Sequence, residues 1–243
     1  NAFTGAIGEV SFDTTNNQLR VHDGSTAGGF KIGTGDFPTG TANVALGNTA
    51  LDDLDGSSPG GNNVAVGHNA LTANTTASNN VAVGSGALAT STTATDNTAV
   101  GFQALTANTS GADNVAVGDE AGHDLTTGSR NVIVGSKAGD AATTTDDTTL
   151  VGYGAGGGAI MTGHDNVAVG SGSLSAATSG NSNAVVGKNS GTSITTGSNE
   201  GTIGNGDTSK INTQVSITVA SDERDKTDFQ PLSAGLNFVN ELT

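Results

Sequence analysis

The sequence predicts an all-β fold: a parallel β-roll, or β-solenoid, of about ten stacked coils with 17 residues each. Three observations lead to this prediction. A glycine returns at a fixed period, branched aliphatic residues return just before it, and an asparagine returns four residues before it. A fixed period with constant phase indicates repeated structural units that bury their apolar sides against one another.

The recurring glycine sets the period. Its members are Gly47, Gly67, Gly84, Gly101, Gly118, Gly135, Gly152, Gly170, Gly187 and Gly204. Successive members lie 17 residues apart, except that the first step is 20 residues and the step after Gly152 is 18. Because glycine takes positive φ without steric cost, we expect it at a corner of each coil.

The aliphatic residues predict one strand in each coil. The residue before each glycine is Leu46, Val66, Val83, Val100, Val117, Val134, Val151, Val169, Val186 or Ile203. The residue two places earlier is mostly valine, from Val44 onward, and the residue between them is mostly alanine, from Ala45 onward. Since side chains alternate along a strand, we predict that the two aliphatic rows line the inside of the coil. The alanine row then points outward, where small side chains let another chain approach closely, and this predicts an oligomer.

The recurring asparagine predicts a second corner. Its members are Asn43, Asn63, Asn80, Asn97, Asn114, Asn131, Asn166 and Asn183. Stacked amides can bond to one another and to the backbone of a turn, so we expect an amide ladder along the roll.

Composition excludes several classes of function. The formal net charge is −15, and between residues 40 and 206 the only basic side chains are Arg130, Lys137 and Lys188. Phosphate backbones require clustered Lys and Arg, so we expect no nucleic-acid partner. No apolar run approaches the ~20 residues of a membrane span, so we expect no membrane insertion. The four histidines share no phase, and no metal site or cofactor is predicted.

The predicted roll occupies residues 41–206 and has a flank on each side. Residues 1–40 lack the period, and two alternating runs within them predict a β-hairpin module. Residues 207–221 alternate as one further strand. Residues 222–243 open with a dense run of charges and continue with apolar residues at helical spacing, which predicts a short helix.

The repeat unit Asn-Val-Ala-Val-Gly-x-x-Ala-Leu, as in residues 63–71, resembles the head repeats of trimeric autotransporter adhesins and similar repeats in bacteriophage tail fibres. The resemblance covers about residues 40–206. It implies that each unit is one coil of a left-handed parallel β-roll and that three rolls associate as a homotrimer.

The end of the chain favours the phage reading. Residues 221–232 and 235–242 resemble the opening of the intramolecular chaperone domain of phage tail fibres and tailspikes, the endosialidase type. This resemblance implies a segment, here residues 222–243, that begins a trimerisation domain. In that family the domain often cuts itself off.

The same resemblance implies a cleavage site between Ser221 and Asp222. Ser221 matches the family nucleophile and Lys226 matches its base, whereas Asp225 replaces the apolar residue usual there. Asp225 and Asp228 favour the charged form of Lys226, which is the wrong form for a base. We expect the present chain to stay joined and the full-length gene product to be cut once; no other enzymatic activity is expected.

These features predict a structural and receptor-binding segment of a trimeric phage tail fibre. Its expected location is the extracellular virion tail, and its expected partners are two further copies, other tail proteins, and a glycan or protein on the host surface. One alternative is the head of a bacterial trimeric autotransporter adhesin on the cell surface. A second alternative is an ice-binding solenoid. It arises from a threonine row: Thr75, Thr92, Thr109, Thr126, Thr143, Thr178 and Thr195.

Two aromatic residues are candidates for receptor contact. Phe102 and Tyr153 each follow a recurring glycine directly, at a position where other coils carry Ser85, Ser136 and Ser171. Aromatic rings at such outward positions suit stacking on sugars as well as packing against a neighbouring chain.

Overall fold

The computed structural model describes residues 7, 10–13, 18–21, 30–31, 43–51 and 60–208. Throughout these residues the regular structure is β. The described ranges contain no helix able to cross a membrane. The strand predicted in residues 207–221 falls, apart from its first two residues, outside the described part, and the helix predicted in residues 222–243 falls wholly outside it.

A small antiparallel sheet precedes the roll. It contains β1 (Val10–Asp13), β2 (Gln18–Val21) and β3 (Phe30–Lys31), in that order. In its register Val10 lies opposite Val21, and Asp13 lies opposite Gln18. This pairing confirms the hairpin predicted near the start of the chain.

The roll is built on a sheet of ten strands that follow one another in sequence order. They are β4 (Val44–Leu46), β5 (Val64–Val66), β6 (Val81–Val83), β7 (Thr98–Val100), β8 (Val115–Val117), β9 (Val132–Val134), β10 (Thr149–Val151), β11 (Val167–Val169), β12 (Ala184–Val186) and β13 (Gly201–Ile203). Each strand pairs in parallel with the next, and equivalent residues lie opposite each other, as Ala99 does with Ala116. The predicted fold class, a parallel β-solenoid with a 17-residue period, is confirmed.

The assignment of the two strand faces was wrong. The alanine row lies inside: Ala45 is 4% exposed and Ala65 is fully buried. The flanking aliphatic residues lie outside, with Val44 55% and Leu46 61% exposed. The reason is the small bore of a 17-residue coil. Leucines such as Leu71, which stands on the next side of the coil and is fully buried, fill the bore and leave room for only a methyl group on the strand.

In the core, a larger side chain at one position of a coil is accompanied by a smaller one at another position. Where the inward strand residue grows from alanine to Leu150, the leucine four residues after the coil's glycine is replaced by Gly156. A Cβ on Gly156 would lie 2.8 Å from the Leu150 Cδ1 atom. Close packing tolerates such exchange when the total volume is kept. The succession of Leu and Gly therefore follows the size of the inward strand residue, except in the coil of Ala116 and Gly122, where the buried Leu125 supplies the volume.

The recurring glycines form the predicted corner, and we call them the corner glycines. From Gly47 to Gly187 their φ angles lie between 125° and 144°. A Cβ on Gly84 would lie 2.1 Å from the carbonyl oxygen of Gly101 in the next coil. Only glycine lets consecutive coils stack this closely.

The asparagine row forms the predicted ladder. Asn97 and Asn114 are fully buried. The Asn114 backbone N–H donates to Asn97 Oδ1 at 2.9 Å, and Asn114 Nδ2 donates to the Gly128 carbonyl at 2.8 Å. Each amide thus joins the start of its own coil to the coil before it and, through Nδ2, to the end of its own coil.

Candidate functional site

The solenoid carries an exposed apolar surface along its strands. We call the first and third residues of β4 to β13 the aliphatic face. Its most exposed large members are Val44, Leu46, Val115, Val117, Val132, Val167, Val169, Val186 and Ile203. The third residues are valine, leucine or isoleucine in every strand from β4 to β13. The first residues are valine except at Thr98, Thr149, Ala184 and Gly201. A contiguous apolar surface of this kind marks an interaction site.

Polar residues border the aliphatic face. On one side, the row just before the ladder position includes Asp113 and Arg130, which precede asparagines, and Asp147, which precedes Thr148. Arg130 Nε donates to Asp147 Oδ1 and Arg130 Nη2 donates to Asp147 Oδ2, each at 2.7 Å. This hydrogen bonding holds the pKa of Asp147 below its usual value. An apolar centre with a polar rim is the usual anatomy of a protein interface.

The two aromatic candidates lie on the opposite border. Phe102 is 50% and Tyr153 is 63% exposed. Both follow a corner glycine, three coils apart, so the structure places them in one row but does not bring them together. Receptor contact by these residues stays a prediction.

A cavity of about 230 Å³ opens on the side of the coil that follows this row. It is lined by Glu120, His123, Asp124, Asp140 and Ala141, and we call it the hollow. His123 Nδ1 lies 2.6 Å from Asp124 Oδ1. Asp140 Oδ1 is buried and has no hydrogen-bond partner. Burial raises the pKa of Asp140 above its usual value.

Sequence reasoning missed the hollow because it treated each residue by its phase. The signal was available in the coil before it, where the positions of Glu120, His123 and Asp124 hold uncharged residues. Lys137 belongs to the same surface, with its Nζ 3.2 Å from Glu120 Oε2. Glu120 raises the pKa of Lys137, and Tyr153 adds a smaller contribution in the same direction. The Gly154 backbone N–H donates to the Ser136 carbonyl at 3.0 Å, so Tyr153 stands in the coil that stacks on the coil of Lys137.

The threonine row bonds within the roll. Thr109 Oγ1 donates to the Thr126 carbonyl at 3.2 Å, and Thr126 Oγ1 donates to the Thr143 carbonyl at 3.0 Å. The same contact recurs at Thr75, Thr92 and Thr178. These hydroxyl groups donate hydrogen bonds to backbone carbonyls of the next coil and so stabilise the stacking of the coils.

The cleavage candidates Ser221, Asp222 and Lys226 lie outside the described residues, and their role stays a prediction. Within the described ranges, no group of three or more histidine or acidic side chains is placed to hold a metal ion.

Comparison with known proteins links the start of the chain to phage. Residues 1–26 match the family model of the major tropism determinant N-terminal domain. No curated protein and no solved structure matches the chain. The matched segment is short, and it is consistent, at a coarse level, with a phage tropism-related protein of the virion tail.

Proposed function

We propose that this chain is a structural and receptor-binding segment of a trimeric bacteriophage tail fibre that attaches the virion to its host. The observation that carries the proposal is the aliphatic face, which extends along all ten strands of the roll. The N-terminal similarity to a phage tropism determinant favours a tail protein.

A further copy of the same chain fits the aliphatic face best. Its strands stack in the same parallel register, so the exposed valines on one roll can meet equivalent residues on the next. A partner without this repeat cannot offer ten equivalent contacts. Closed cyclic symmetry buries such a face completely, and the resemblance of the repeat to trimeric fibres favours three copies.

The exposed rows beside the interface are then the surface that remains for the host. They include Phe102 and Tyr153 as well as the hollow. Other tail proteins would hold the flanks of the fibre, and a glycan or protein on the bacterial surface would be its receptor.

A bacterial adhesin head is the second candidate, because its repeat resembles this one equally well. The similarity of residues 1–26 to a phage family weighs against it. Ice binding is the weaker alternative, because the Thr109 and Thr126 hydroxyl protons are already engaged within the roll. Thermal hysteresis of the purified protein would restore the ice-binding reading.

Two measurements on the purified chain test the proposal. Native mass spectrometry should give three times the 23.5 kDa mass of one chain. The soluble chain should also block adsorption of the parent phage to its host in proportion to the sites occupied. A monomer that leaves adsorption unchanged would overturn the proposal.

A further inference from the structure

We propose that the hollow is a saccharide subsite that accepts a neutral or amino sugar and rejects acidic ones. The inference rests on the proposed receptor-binding function and names the site and ligand class within it.

The hollow lies where the repeat departs from its own pattern. At the second, fifth and sixth positions after the corner glycine, one coil carries Gln103, Thr106 and Ala107, and the next carries Glu120, His123 and Asp124. Both coils pair with their neighbours in the same register. Stacking therefore does not require the charged set.

One of the charged side chains acts against folding. Asp140, in the following coil, has a buried Oδ1 atom with no hydrogen-bond partner. A buried carboxylate oxygen that lacks a donor carries a desolvation cost. The position accepts threonine in three other coils, at Thr72, Thr106 and Thr192, so the carboxylate is not needed to build the roll.

The coil after that of Asp140 has glycine at the three positions beside the hollow. The second, fifth and sixth positions after its corner glycine are Gly154, Gly157 and Gly158. A Cβ on Gly157 would lie 2.4 Å from Asp140 Oδ1, whereas a Cβ on Gly154 would meet nothing within 4 Å. This coil therefore presents bare backbone beside Asp140, and it also carries Tyr153, which is 63% exposed.

A sugar ring matches these features. Its hydroxyl groups donate to carboxylates such as Glu120, Asp124 and Asp140 and accept from the ammonium of Lys137. Its C–H face packs on an aromatic ring, which Tyr153 offers. The volume of about 230 Å³ suits a single ring rather than a longer segment. The carboxylates repel an anionic sugar, as does the net charge of −15.

The test replaces the hollow with residues that the repeat itself uses. The double variant Asp124→Ala with Asp140→Thr copies Ala107 and Thr106 of an earlier coil. The control variant is Lys188→Ser. Lys188 follows its corner glycine as Tyr153 does, two coils further along, and Ser171 is the residue at this position in the coil between them. The probes are immobilised oligosaccharides of galactose, mannose, N-acetylglucosamine and glucosamine, with sialyllactose as the acidic probe. Host-cell adsorption is measured in parallel.

We expect the wild type to bind at least one neutral or amino probe and not sialyllactose. The double variant should lose about 10-fold or more in affinity, and Lys188→Ser should bind as the wild type does. A single cooperative thermal transition, at a temperature no lower than that of the wild type, would show that the double variant keeps its fold.

The other outcomes separate the two proposals. Binding that survives in the double variant, or that favours sialyllactose, overturns the saccharide subsite. Adsorption to host cells without binding to any sugar probe also overturns it, while the tail-fibre function stands. Sugar binding that the double variant loses, in a protein that does not adsorb to the host, supports the subsite and counts against the tail-fibre function.

Discussion

The corner glycine is the residue on which the stacking of coils depends most directly. We expect Gly118→Ala to lower the free energy of unfolding by about 3 kcal/mol. Its φ is 141°, and the new Cβ would lie 2.6 Å from the carbonyl carbon of Gly135. Chemical denaturation at fixed protein concentration measures the loss.

Gly154→Ala provides the matched control. Its φ is 58°, and a Cβ there meets nothing within 4 Å, so it should cost only about 1 kcal/mol. Equal losses in the two variants would show that positive φ alone, and not close approach of the coils, explains the glycine row.

Asn108 is a buried residue that the roll tolerates at a cost. Its Nδ2 and Oδ1 atoms are both buried without a partner. Another coil combines the same core alanine and leucine, Ala168 and Leu174, with Ala177 at this position. We therefore expect Asn108→Ala to raise the free energy of unfolding by about 1 kcal/mol, as measured by denaturation.

Asn114 carries the same amide group, but we expect its replacement to lower the free energy of unfolding. It bonds to Asn97 and Gly128, and its Oδ1 accepts from the Asn131 backbone N–H. Asn114→Ala should cost about 2 kcal/mol because it leaves buried partners unpaired. A destabilising Asn108→Ala would mean that its amide makes bonds absent from the structure.

Asp140 makes stability depend on pH. Its pKa is raised by burial above the ordinary value of 3.8, so the folded state disfavours the ionised form. The penalty is absent below the ordinary value, grows as the pH rises to the raised pKa, and stays constant above it. Asp140→Thr should therefore raise the melting temperature at pH 7 but not at pH 3. A gain of equal size at both pH values would remove ionisation as the cause.

At the scale of one coil, the folding unit is a set of interdependent core positions. Leu150→Ala removes a fully buried side chain and should cost 2–5 kcal/mol, which is about the usual range for such a cavity. Adding Gly156→Leu restores the alanine–leucine pair found in other coils, as at Ala65 and Leu71. Leu71 holds φ 51° and Gly156 holds φ 64°, so leucine is compatible with that backbone.

We expect the double variant to recover part of the loss, which gives a favourable coupling energy in a double-mutant cycle. Gly156→Leu alone should destabilise the roll, because its Cβ would already lie 2.8 Å from Leu150 Cδ1. Additive effects of the two substitutions would contradict the exchange of volume within the coil.

The sequence alone predicted the period, the strands and both corners, because glycine and asparagine have few substitutes at such positions. It did not predict which face of the strand is buried. Alternation assigns Ala65 and Val66 to opposite faces but does not say which face is inside. What decides is the space that Leu71 leaves inside the coil. That space depends on where the next side of the coil lies, which alternation along one strand does not give. The same limit hid the hollow, since Asp124 and Asp140 meet only across stacked coils.

At the scale of the whole molecule, the proposed association of three copies depends on the aliphatic face. Val115→Glu with Val117→Glu places two charges on β8, in the middle of the sheet. Burying an unpaired charge against the same face of another copy is strongly unfavourable. We therefore expect the native mass to fall from three chains to one. The melting temperature should fall as well, because the thin roll loses the burial of its apolar rows.

The control places the same charges away from the aliphatic face. Ser110→Glu with Thr144→Glu changes two exposed residues on another side of the roll and should leave both the mass and the melting temperature as in the wild type. Loss of assembly in both double variants would indicate a general effect of added negative charge on a chain that already carries −15. An oligomer that persists with glutamates at Val115 and Val117 would place the contacts between copies on a different surface.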